Sequence, residues 1–214
     1  MKSKYQITSV LGLADQYLTD GYQVWGQYIG QPYYPDIRSI IEPAESPQTK
    51  LNLVKFQWAP RHPLLGYGIG PDYSNFSAQL NDYFRDKKLP SSFLSDLLNI
   101  YTKNISAPLA QITLGIEVGE LDQTYLPAFE SQLQTLLNSQ LKLATASAFA
   151  EIYHKTYPDL SPTLQIQATN SGKTITWTMS PEYRLGVLDN QIIDLHWYHQ
   201  SLDYDQFAKD LRQN

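Results

Sequence analysis

The last quarter of the chain constrains its fold more than any other feature. Residues 164–169, 174–179, 183–188 and 192–199 each suit a short strand, and they are separated by turn-forming residues, among them Asn170-Ser171-Gly172 and Asp189-Asn190. Asn, Asp and Gly accept the positive φ that two-residue hairpin turns demand, so the segment reads as an antiparallel meander. Counting alternate positions places Leu164, Ile166, Ile175, Trp177, Ile193, Leu195 and Trp197 on one face, with Leu185 unassigned. The opposite face then carries Gln165, Gln167, Thr174, Thr176, Thr178, Asp194, His196 and Tyr198. A meander that is apolar on one side only needs helices on that side.

Helical segments are present to supply that cover. Apolar residues recur every three or four positions from Val10 to Tyr28, across residues 75–87 and 91–101, and twice within residues 124–157; a short helix is expected at 204–211. Prolines at 32, 35, 43, 47 and 60 exclude helix from most of the stretch between, which is read as a strand over residues 51–58 after an exposed connection near residues 42–49. Residues 111–118 alternate Ile112, Leu114, Ile116 and Val118 with polar side chains, the pattern of a half-buried strand. The expected fold is α+β, mainly an antiparallel sheet with a C-terminal meander and helices packed on one face. At 214 residues a single domain over 1–214 is expected, with roughly 70% of the unfolded chain's surface buried. Residues 75–118 and 128–169 echo one another weakly, as a duplicated helix pair followed by a strand would.

Composition removes several function classes. The chain has no cysteine, which excludes disulfides, thiolate catalysis and cysteine-held zinc or iron–sulfur clusters. Its net charge of −5 and scattered basic residues disfavour nucleic acid as a partner. Met1-Lys2-Ser3-Lys4 looks like the start of a signal peptide, but Gln6, Thr8, Asp15 and Gln16 interrupt the apolar run that should follow. No stretch approaches eighteen apolar residues, so no membrane association is expected and a cytoplasmic location is. No cofactor motif is recognisable, and none is expected.

Candidate chemistry falls in two places. Arg61, His62, Tyr67 and Asp72 lie close together in a Pro- and Gly-rich stretch that runs toward a helix start near residue 74, a setting in which a loop can take up a phosphate or line a pocket. The spacing matches neither a Walker loop nor a dinucleotide fingerprint, and a turn-rich structural loop is the plain reading. The second place is the polar sheet face with Asp194, His196 and Tyr198, either a solvated surface or a binding surface. Asp194 and His196 could begin a metal site but lack an identifiable third ligand, while His196 and His199 point to opposite faces of a strand. His154 reads as a core-edge residue, and Glu117 and Glu120 as solvent-facing charges. There is no nucleophile elbow. Tyrosines at 22, 28, 33, 34, 67 and 73 suit core rims or recognition surfaces, with at least one of Tyr33 and Tyr34 expected to be exposed or to cover a groove. Two functions fit: a non-enzymatic interaction or accessory protein whose partner is another protein, or a small-ligand binder or enzyme with a pocket near residues 58–73.

Overall fold

The computed structural model describes residues 7–12, 28–66, 76–114, 123 and 125–198. It is a mixed α+β fold with β1 (Ser9–Gly12), β2 (Val54–Gln57), a π-helical turn (Asn81–Asp86), α1 (Ser92–Thr102), α2 (Leu126–Asn138), α3 (Ala146–Thr156), β3 (Leu164–Asn170), β4 (Lys173–Met179), β5 (Tyr183–Leu188) and β6 (Gln191–Trp197). The last four strands form an antiparallel meander in the order β3-β4-β5-β6. Two of its turns contain two residues each. Ser171 and Gly172 have φ of 51° and 78°, Asp189 and Asn190 of 46° and 72°, the left-handed geometry that matches the twist of a hairpin.

One face of the meander is core. Leu164, Ile166, Ala168, Ile175, Trp177 and Met179 are buried together with Phe93, Leu94, Leu97 and Tyr101 of α1. Trp177 donates its indole N–H to the Pro63 carbonyl at 2.9 Å, and its ring lies over Gly186, where an added Cβ would meet ring carbon at 2.6 Å. Only glycine fits beneath that ring.

The register of β6 departs from the alternation read in the sequence. Gln191 and Ile192 pair with Leu188 and Val187, but Gly186 pairs with Asp194, so a bulge between Gly186 and Val187 inserts Ile193 as an extra residue. Past the bulge every β6 side chain changes face. Asp194 and His196 therefore share the inner face with Trp177 and Arg184, while Leu195 and Trp197 stand outside, the reverse of the expected arrangement. Burial of Arg184 stabilises this register. Its guanidinium is 1% exposed and forms a bidentate pair with Asp194 at 2.8 and 3.0 Å, which meets the need of a buried charge for a close counter-ion.

A second cluster joins Tyr34, Val54 and Phe56 to Ala150 and Tyr153 of α3. Strand β2 is buried at all four positions and pairs in parallel with β1, so Ser9 to Gly12 are strand rather than the start of the expected helix. Residues 13–27 and 199–214, including the expected 204–211 helix, lie outside the described residues. The alternating pattern at 111–118 does not make a strand where it is described. Residues 111–114 are irregular, and Gln111 is held to the Gly30-Gln31 turn by hydrogen bonds at 3.0 and 3.2 Å. Tyr33 and Tyr34 are both buried: Tyr34 donates its hydroxyl to the Tyr157 carbonyl and stacks on the half-buried His154. Around the expected exposed connection, Glu42 and Ala44 are buried too.

Candidate functional site

The stretch beginning at residue 58 is built into the core. The Pro60 carbonyl accepts from Ala78 N–H at 3.0 Å, and His62 N–H donates to the Phe76 carbonyl at 2.8 Å, so a neighbouring segment supplies backbone partners to this irregular stretch. Trp58 donates its indole N–H to Gln79 at 3.1 Å. Arg61 is buried, and its carbonyl accepts the Tyr101 hydroxyl. His62 is 4% exposed. Its Nδ1 accepts the amides of Leu64 and Leu65 at 3.1 and 3.3 Å, and the ring stacks on Phe93. Burial, partly offset by a hydrogen bond to its own backbone, holds the imidazole down at about 4, so it is neutral near pH 7. Arg61 and His62 thus shape the turn that carries the Pro63 carbonyl to Trp177. Tyr67 and Asp72 lie outside the described residues.

The second candidate set also turns inward. Asp194 is bound to Arg184. His196, opposite Arg184 in the ladder, lies beside the ring of the buried Tyr198 at 5.3 Å. Among the described residues, no three His, Asp or Glu side chains gather as a metal ion would require.

What the bulge leaves outside is a sheet face of two unlike halves. Over β3 and β4 it is polar and internally bonded: Gln165 donates to Thr178 at 3.0 Å, Gln167 to Thr176 at 3.4 Å, and Thr169 shares a hydrogen bond with Thr174 at 2.9 Å. Over β5 and β6 it is apolar. Ile192, Ile193, Leu195 and Trp197 are 66%, 48%, 50% and 46% exposed, and half-buried Tyr183, Leu185 and Val187 lie alongside them, Tyr183 with its ring against Trp197 at 5.2 Å. Singly exposed apolar residues are ordinary on a protein surface, whereas a contiguous strip marks a place of contact. The two edges of the sheet differ as well. Asn104 and Ser106 cover the edge of β3 through backbone bonds to Gln167 and Gln165 at 3.1 and 2.9 Å, whereas no described strand lies beyond β6.

Alternation read from sequence assigned Ile193, Leu195 and Trp197 to the covered face. The available signal was the pair Ile192-Ile193, two consecutive large apolar residues that a regular half-buried strand does not accommodate on one face. A second set of exposed leucines, Leu126, Leu133 and Leu137, lies on α2, with Leu141 and Leu143 following it, but it offers no open backbone edge. Compared with known proteins, the chain matches no protein-family model, no curated protein and no solved structure. Among the described residues no helix is long and apolar enough to cross a membrane.

Proposed function

We propose that this chain is a non-enzymatic interaction or accessory protein that binds another protein through the apolar half of its outer sheet face. The observation that carries the reading is the strip of Ile192, Ile193, Leu195 and Trp197, about half exposed and set along a strand that, among the described residues, forms an edge of its sheet. Such a strip gives a partner apolar area to cover, and the edge offers backbone hydrogen bonds. A pocket-bearing enzyme near residues 58–73 draws no support from Arg61 and His62, both of which are buried in fold-supporting contacts.

Affinity capture from the native cells tests this reading. Replacing Ile193, Leu195 and Trp197 together by serine is expected to abolish recovery of the partner. Replacing Gln165 and Thr176 by alanine, on the polar half of the same face, is expected to retain it. Equal recovery with both variants would overturn the assignment.

A further inference from the structure

We infer that the partner along β6 is a second copy of this chain, joined edge to edge in antiparallel register about Leu195. The inference rests on reading β6 as the interaction element and adds a second copy along its backbone edge, which joins two strips into one larger contact surface.

The backbone comes first. Tyr198 donates its N–H to the Glu182 carbonyl at 2.9 Å, and Trp197 stands opposite Tyr183. In an antiparallel ladder, successive residues direct their N–H and C=O alternately to one side and the other. Trp197 and Leu195 therefore direct theirs away from β5, toward the edge where no described strand lies. Sheets protect such edges with lysine, proline or a bulge. Strand β6 contains neither lysine nor proline, and its bulge lies upstream of these two residues.

The side chains select the register. With a two-fold axis through Leu195, that residue faces Leu195 of the second copy and the two exchange both backbone hydrogen bonds. Ile193 then falls opposite Trp197 of the second copy, so the outer side pairs apolar with apolar. On the inner side Asp194 falls opposite His196 of the second copy, a carboxylate facing an imidazole. Moving the axis one residue either way opposes Asp194 to Asp194 or His196 to His196, and like groups directly across a ladder are unfavourable. A closed isologous contact of this kind joins the two meanders into one sheet and the two apolar strips into one surface.

Because the chain has no cysteine, a single introduced thiol can be cross-linked only to another copy. In Leu195→Cys, a short bismaleimide is expected to give covalent dimer at least about tenfold faster than in Thr176→Cys, whose position lies two strands in and so about 24 Å from its copy by the spacing of strands. The unmodified chain is expected to sediment as a dimer at about 100 μM, well above a micromolar Kd, and Leu195→Asp as a monomer whose melting temperature matches that of the unmodified chain once the latter is diluted below the Kd, where association no longer stabilises it. A monomeric unmodified chain at that concentration, or equal cross-linking at both positions, would overturn the inference. If the chain is monomeric while the serine variant still loses a captured partner, only the second copy is wrong. If it is monomeric and capture is also unaffected, the interaction surface is wrong too.

Discussion

Replacing Trp177 by alanine is expected to destabilise the protein by about 3–5 kcal/mol, the range for deleting a large aromatic from a packed core. The ring is 4% exposed, fills the space over Gly186, lies beneath the Arg184 guanidinium at 5.7 Å and holds the 58–66 segment through Pro63. Its loss would open a cavity where four parts of the fold meet. Trp197, the same residue type in the same sheet, is expected to lose clearly less, about 1–2 kcal/mol, on the same substitution, because about half of its side chain is already in water and its removal leaves no enclosed cavity. Urea unfolding of the two variants measures this difference. Equal losses would mean that the bulge does not turn β6 over.

Stability should also fall as acid titrates His62. Its folded pKa of about 4 lies below the ordinary value near 6.5, so between these values the unfolded chain binds the proton and the folded one does not. The contribution is complete above roughly pH 6.5 and is lost as the pH falls toward the folded value. Between about pH 7 and about pH 4 it amounts to roughly 3 kcal/mol. His62→Asn keeps a side-chain acceptor for the Leu64 and Leu65 amides but cannot titrate. Unfolding of this variant is expected to show an acid slope shallower by that amount. An unchanged slope would show that the imidazole is not the buried neutral acceptor described.

The strands of the meander were legible because their ends are written in local chemistry. Asn170, Gly172, Asp189 and Asn190 accept the positive φ that hairpins need, and α2 and α3 follow from apolar spacing. The outer surface was not legible, because it depends on one extra residue. Without the bulge, Ile193 would face Gly186, and Leu195 and Trp197 would join the core as alternation suggests; with it, the buried Arg184 gains Asp194. Such a choice is tertiary, since it turns on a charge in β5 and a ring in β4. Arg61 and His62 are more buried than their setting suggested, for a related reason. Proline and glycine removed regular structure around them, but residues 76–78 supplied the missing backbone partners from elsewhere in the chain. Tyr33 and Tyr34 likewise became core when β2 and α3 closed over a segment that its prolines made appear exposed.

Hydroxyl-radical labelling of the outer face tests the central claim most directly. In the free monomer Ile192, Leu195 and Trp197 should be modified readily, as their exposure requires. In the complex with a captured partner seated on the strip, their modification should fall about tenfold or more, as for side chains moved into a dry interface core, while Leu143 on the α2–α3 connection stays reactive. If Trp197 and Leu195 are labelled equally in the free and bound states, the strip is not the contact surface and the proposed function fails with it.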